Sequence, residues 1–452
     1  MDYTRLVVRH VLAVRFQDLP PEAQELARWC FLDWLGCALA GSQEPLGRIL
    51  AGAVQELGGA PQATVIGHKL RTSTTHAALV NGAASHAQDY DDVHPSMPGH
   101  PAASLIPALL AVAEWRGSTG AELLAALVAG YDVQVCVGQA VGTEHYDHGW
   151  HATGTIGHLG AAAGAGRLLH LSEEQMVSAL GLAGTQAAGL RRSFGTMAKP
   201  FHPGKAAADG VLGALLARRG FTGPDAILEG KLGFGQVFSS RFDAEALRAK
   251  LAGPPAVLQV AFKRHAACGA THSTIDAVLA MRERGLRAER LAELHLQVYR
   301  LAMDAAGKLD PQSGLEAKFS VPFCAALALV HGAADESLFT DAMAKDPEIR
   351  TVMSRIRIDV DPSLQYVEAM PVRALARMAD GQELREHVEL PKGRPSNPFS
   401  AQDFRQKFTR LAGTVLPAGS IGEALDLCAR LDQLTTLTPL IRVLGNASSR
   451  GG

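Results

Sequence analysis

The sequence predicts a mainly α protein with an inserted α+β domain: an all-helical domain formed by both chain ends, and a smaller α/β domain between them. Three observations predict it. Hydrophobic periodicity is helical almost without break to about residue 255, in segments crowded with Ala and Gly. After Gly253-Pro254-Pro255 the texture changes to strand-like and helix-like runs in alternation, closing on a hairpin signal. Beyond Pro391–Pro398, which looks like a linker, the pattern turns helical again. The expected boundaries are 1–256 and 393–452 for the helical domain and 257–392 for the α/β domain.

Pro21 sits well as the first residue of a helix that Gly41 would stop. Further helices are expected at 73–90, 101–116, 119–141, 155–169, 173–189 and 205–219. The small residues of GHLGAAAGAG permit close helix approach. The tract lacks both the Lys-Ser/Thr of a P-loop and the preceding strand of a dinucleotide site, so it predicts no nucleotide. Val257–Arg264 and Leu294–Leu301 are expected strands, and Thr271–Glu283 and Lys318–His331 expected helices. The segment 355–390 offers RIRIDV and two β-like runs joined around Asp380-Gly381, and 401–445 is helical.

Apolar residues make up 47% and charged residues 19% of 452 positions, with net charge −2, which gives no pull toward nucleic acid or anionic membrane. The six cysteines form no CxxC pair, against structural zinc or a locally ligated iron–sulfur cluster and in favour of reduced thiols in the cytoplasm. The first residues have the wrong flanks for a signal peptide. The most apolar stretch, Ala102–Trp115, contains Pro107 and is too short to span a bilayer.

Chemistry concentrates in four stretches. Asn81–Ser104 carries Asp89, Asp91, Asp92, His86, His94 and His100 where a helix gives way to a Pro/Gly loop, suited either to proton transfer or to a solvated helix end. GTEHYDHGWHATGTIGHLG holds His145, His148, His151 and His158. Their spacing invites zinc, but Gly149 argues for a loop and no carboxylate or cysteine completes a ligand set. LRRSFGTMAKPFHPGKAA supplies Arg191, Arg192, Lys199, His202 and Lys205, either a substrate-carboxylate site or a solvated basic loop. Pro200 and Pro203 would bracket a turn, and Lys205 would begin the next helix. FKRHAACGATHSTIDA places Lys263 before, and His272 at, a helix N-terminus, where a neutral imidazole can act as general base; Cys268 lacks a base-and-orienter pattern.

FLDWLGCALAGS, NGAASHAQDYDD with GHPAASLIPALLA, GWHATGTIGHLGAAAGAG, AKPFHPGKAAADG and KRHAACGATH occur in this order. Together they resemble the MmgE/PrpD family, which includes 2-methylcitrate dehydratase, cis-aconitate decarboxylase and iminodisuccinate epimerase. The resemblance implies a helical domain with an α/β lid, a homodimer, no metal or organic cofactor, and an active site between the domains. Matched by motif, the family's site residues fall on Asp89, His100, His151, Lys199 and His272. Expected roles are His100 and His272 as the acid/base pair and Lys199 with Arg191 or Arg192 on substrate carboxylates. Asp89 and His151 would orient them, with Asp91, His202, Lys205 and Lys263 as further substrate-binding positions. Val93 and Val321 stand where the decarboxylase pattern has Thr and Tyr. The implied function is a hydratase/dehydratase-type lyase on a small di- or tricarboxylate, with epimerisation of a dicarboxylate as the rival and decarboxylation third.

Overall fold

In the computed structural model, which describes residues 2–365 and 370–445, helix Pro21–Ser42 opens with Pro21 in a first turn whose N–H groups have no partner within the helix. Every residue from Cys30 to Ser42 is buried, so this helix is a central post rather than a surface element. Its neighbours approach backbone to backbone. A Cβ on Gly41 would sit 1.8 Å from the Ala84 carbonyl oxygen, and one on Gly204 would sit 2.2 Å from that of Leu79. Only glycine admits such contact. Helix Thr74–His86 therefore packs tightly against both Pro21–Ser42 and Ala198–Arg218. The crossing carries the end of Thr74–His86 to the start of Ala198–Arg218, and these two ends build the floor of the site.

Helices Pro101–Arg116, Gly120–Asp147, Gly157–Leu168 and Glu173–Gly184 fill out the helical part. The Gly157–Gly166 tract is wholly buried in its helix, a packing surface rather than a phosphate loop. Helix Gly120–Asp147 is long and apolar enough to cross a membrane, yet 94% of its apolar window is buried inside the protein. One apolar core joins these helices to Phe404, Phe408, Leu427 and Leu440 of the last segment, where Trp29 stacks on Phe404 with centroids 4.7 Å apart. A second core holds Ile275, Leu294, Phe323 and Val372.

That second core rests on a four-stranded sheet in the order Ile356–Val360, Leu291–Val298, Val372–Met378, Glu383–Val388. The first pair is parallel and the other two antiparallel. The last two strands form the expected hairpin, with Gly381 at φ 86° supplying the left-handed turn residue. Helix His272–Glu283 packs on the sheet and on helix Val321–His331. The architecture is thus mainly helical with a small mixed α/β part.

Three expectations differ from the structure. Val257–Arg264 is no strand: Ala256–Gln259 is a 3-10 turn, and Ala261 makes an isolated bridge to Val93. No neighbouring strand offers a ladder there, so extended propensity alone builds none. Helix 205–219 begins instead at Ala198 and runs through both prolines. Pro200 falls in the first turn, where its missing N–H costs nothing; Pro203 forgoes only the bond to the Lys199 carbonyl. Pro391–Pro398 has no helix or strand but is not a free linker. Gly393 accepts from the Phe262 N–H at 2.7 Å and donates to the Asn397 carbonyl at 2.8 Å.

Candidate active site

The cavity that gathers the sequence motifs has a volume of about 760 Å³. The helical part contributes Asp89, Val93, His100, His151, Phe194 and Lys199 to its wall; the segments that follow contribute Lys263, Cys268, Tyr299, Phe319, Met370 and Arg394. Asp89 is the hub. Lys199 Nζ lies 2.5 Å and Lys263 Nζ 3.2 Å from its Oδ1, while Lys263 also donates to the Asp89 carbonyl at 2.7 Å. Asp89 holds φ 53°, a left-handed conformation that Asp adopts more readily than most residues. The kink ends the run that began at helix Thr74–His86 and turns the carboxylate to the lysines.

Asp91 and Asp92, adjacent in sequence, do separate work. Asp91 accepts from His86 Nδ1 at 2.9 Å and approaches His100 Nδ1 at 3.3 Å. Asp92 takes the Tyr131 hydroxyl at 2.7 Å and the Ala102 N–H at 3.2 Å, in the first turn of the helix that His100 caps. Burial works against ionisation of both Asp89 and Asp91. It is overcome at Asp89 by Lys199 and Lys263, and at Asp91 by His86 and His100, so both carboxyls stay well below the usual range. Asp92 has no cation beside it, and burial with the Asp91 charge pushes it well above that range. Asp92 braces the helix through these two hydrogen bonds.

Burial also lowers the imidazoles. His86 falls to about 3 and His151 well below its ordinary value, the latter also opposed by Lys199. His100 is lowered too, with Asp91 pulling the other way. If Asp91 accepts from Nδ1–H, the His100 lone pair sits on Nε2, 3.7 Å from Asp89 Oδ1. His151 meets His202 through their Nδ1 atoms at 3.0 Å, so the two rings share one proton across that contact.

Of the expected residues, Asp89, His100, His151, Lys199 and Lys263 line the cavity; Asp91 and His202 stand directly behind it. The others do not converge. Arg191 donates to the Tyr146 carbonyl at 2.9 Å and lies over the Tyr146 ring, Arg192 belongs to the same short turn without reaching the wall, and Lys205 is paired with Asp209. Arg191 and Lys205 are taken up by local partners that sequence spacing does not reveal. His272 is buried but absent from the cavity wall, its Nε2 3.2 Å from the Ala267 carbonyl. Of the KFSVPFC stretch, Phe319 lines the cavity and Val321 is wholly buried elsewhere. His145 is bonded to Thr155 and the Phe238 carbonyl, and His158 to Asp209, so the histidine-rich stretch sends only His151 to the site.

Among the described residues, His86, Asp89, Asp91 and His100 have potential metal-donor atoms within 4.8 Å of one another. Asp89 is already held by two ammonium groups and Asp91 by two imidazoles, so the donor set is engaged by charges that a cation would have to displace. The residues present do not fit a metal centre.

A buried carboxylate–imidazole–lysine cluster at the floor of a cavity, on a mainly helical scaffold, defines an acid/base enzyme. The chain belongs to the MmgE/PrpD family: residues 6–247 match its N-terminal domain and 265–431 its C-terminal domain. Cis-aconitate decarboxylase of Aspergillus terreus is 28% identical, over 94% of this chain and 92% of the fungal protein. The cis-aconitate decarboxylase of Homo sapiens is 27% identical over 92% and 89% of the two chains. The 2-methylcitrate dehydratase of Cupriavidus necator is 24% identical over 86% of each. These relatives make the chain a lyase-type enzyme at family level, with dehydratases and decarboxylases both among its kin.

Proposed function

We propose that this enzyme takes a proton from the carbon α to a carboxylate of a small di- or tricarboxylate and expels a β-hydroxyl, a cofactor-independent dehydration like that of 2-methylcitrate. The observation that carries it is His100: a neutral imidazole on the cavity wall, braced through Nδ1 by Asp91 and beside two lysines. Its Nε2 accepts the α-proton. The electron pair of the broken C–H bond forms the Cα=Cβ bond as the Cβ–O bond breaks, and the hydroxide departs as water with the proton that His100 has taken up, while His151, backed by His202, hydrogen-bonds the departing oxygen. Lys199 and Lys263 stabilise the charge that develops on the carboxylate. His272 braces the wall at Cys268–Ala270 rather than reacting. The helical part, drawn from both chain ends, and the α/β part from 257–392 act as domains enclosing the substrate. The enzyme works in the cytoplasm as a homodimer.

The sequence supports dehydration over decarboxylation in this scheme, because Val93 and Val321 stand where the decarboxylase pattern has Thr and Tyr; Ser96, Thr143, Tyr146 and Tyr299 nevertheless bring hydroxyls to the wall. Epimerisation is the second reading, favoured by two imidazoles, His100 and His151, on one cavity: one can remove and the other return a proton. Incubation with a panel of polycarboxylates in deuterated water, followed by NMR, tests all three. Loss of water is the expected result. Deuterium incorporation with inversion and no mass loss selects epimerisation, release of carbon dioxide selects decarboxylation, and absence of any exchange across the panel refutes the acid/base assignment.

A further inference from the structure

The charges on the cavity floor are balanced before substrate arrives. Lys199 and Lys263 face Asp89, and the second ionised carboxylate, Asp91, lies just behind. A di- or tricarboxylate brings at least two further negative charges; the nearby Lys318 is buried behind Asp89, is held by the Gln88 and Ala266 carbonyls and does not line the main cavity. Lys250 also reaches the wall, but it is half-buried and donates to the Pro254 carbonyl at 3.2 Å, where solvent screens it.

Arg394 is different. It lines the same cavity and is only 7% exposed. Among the described residues no carboxylate lies within ion-pairing distance of its guanidinium, which instead meets the neutral sulfur of Met370. A buried guanidinium with no counter-ion among the described residues is costly, and a bound anion would offset that cost. Its backbone is also built to stay put. Gly393, at φ 98°, passes so near Phe262 that a Cβ would lie 2.0 Å from that residue's carbonyl oxygen, and the turn closes through Asn397 N–H to the Arg394 carbonyl at 2.9 Å. The connector that looks like a linker in the sequence is a fixed mount for one charge.

We propose that Arg394 is the anchor for a substrate carboxylate remote from the reacting carbon, gripping it through the guanidinium fork while the lysines attend to the carboxylate next to the α-carbon. This rests on the reading of the cavity as a polycarboxylate site. It makes Arg394 the residue that selects a substrate with a second carboxylate at the far end, and the charge whose burial the ligand relieves.

The test uses tricarballylate, a tricarboxylate without a leaving group, in titration calorimetry with the full chain. Arg394→Met, similar in length and uncharged, should weaken binding about 30-fold or more. Arg394→Lys, which keeps the charge and loses the fork, should fall between. The free Arg394→Met protein should melt no lower than the parent, because the substitution removes an uncompensated buried charge; a purely structural arginine would lower the melting temperature instead. Tight binding to the parent that Arg394→Met leaves unchanged overturns the assignment of Arg394 alone. If that variant does not fold, Arg394→Lys decides: unchanged affinity overturns the anchor, weakened affinity supports it. No binding of tricarballylate to the parent at millimolar concentration overturns the polycarboxylate reading and the anchor with it.

Discussion

Replacing Asp89 by Asn keeps the size and planarity of the side chain and removes one charge. The consequence follows from what Asp89 touches: Lys199 at 2.5 Å and Lys263 at 3.2 Å, with the three side chains 6%, 2% and 6% exposed for Lys199, Lys263 and Asp89. Both ammonium groups would lose their contact with an anion. Breaking a buried ion pair from one side costs about 3–5 kcal/mol. The loss is bounded, because a lysine can escape by shedding its proton, which at pH 7 costs about 4–5 kcal/mol from an ordinary pKa near 10.4. Asn tolerates the φ of 53° as Asp does, so Asp89→Asn should lose about 3–5 kcal/mol through charge alone. Asp89→Ala should lose about 1 kcal/mol more, since alanine strains at that φ. The acid side gives an independent check. The folded carboxyl of Asp89 sits well below its unfolded value, so its contribution is complete above about pH 4 and fades as pH falls toward the folded value. The gap between parent and Asp89→Asn, measured by urea unfolding from pH 7 to pH 3, should therefore narrow below about pH 4. A gap under about 1 kcal/mol at pH 7, or one that stays constant to pH 3, would refute the account of Asp89 as the hub.

His100→Ala should lower turnover at least ~100-fold, whereas His272→Ala, off the cavity wall, should cost less than about tenfold; equal losses in steady-state assays would return His272 to the reacting pair. Asp92→Asn removes a carboxyl whose charged form burial and Asp91 disfavour, and should stay within about 1 kcal/mol of the parent in unfolding experiments, while Asp91→Asn should lose about 3 kcal/mol. The reverse order would show that the proton sits on the wrong aspartate. His94 donates from Nε2 to the Ala256 carbonyl at 3.1 Å and accepts the Ser96 N–H at Nδ1 at 3.1 Å, so both nitrogens are satisfied only when it is neutral. Burial lowers its pKa to about 3. The unfolded chain takes up that proton near pH 6.5, so His94 should subtract stability at up to about 1.4 kcal/mol per pH unit as pH drops from 6.5 toward 3. His94→Gln, less stable at neutrality, should show a shallower acid slope; an unchanged slope would count against a neutral His94.

What the sequence made legible follows the range of the signal. Helix periodicity, the Asp380-Gly381 turn and the small-residue tracts act over a few residues, and the helices at 101–116, 173–184 and 401–445 and the 372–388 hairpin fall where those signals point. Val257–Arg264 fails because a strand needs a neighbour, which no local pattern supplies. The site divides in the same way. Asp89, His100, His151 and Lys199 were visible through ordered motifs, and each lies beside an element end where the chain turns into the cavity. Arg191, Arg192 and Lys205 stand out in the sequence by charge alone, and charge does not say which basic residue already has a carbonyl or an aspartate within reach. His86 was in view but unassigned, since its pairing with Asp91 depends on the left-handed kink at Asp89. Arg394 had no signal at all: a single arginine among prolines reads as linker until its burial is known.

In the proposed mechanism the cluster also gives the two histidines beside Asp91 different surroundings. Burial alone would spoil the base, as at His86, which it takes down to about 3 despite Asp91. Exposure would spoil it in the other direction, by letting water compete for the developing charge. Burial lowers the pKa of His100, and Asp91 and Asp89 act against that lowering. A general base works best with its pKa near the working pH. Of the two imidazoles beside the Asp91 carboxylate, only His100 lines the main cavity. One carboxylate thus bonds one ring and stands 3.3 Å from the other, and the proposal assigns them different work. His86 fills the space behind and fixes Asp91; His100 faces the substrate.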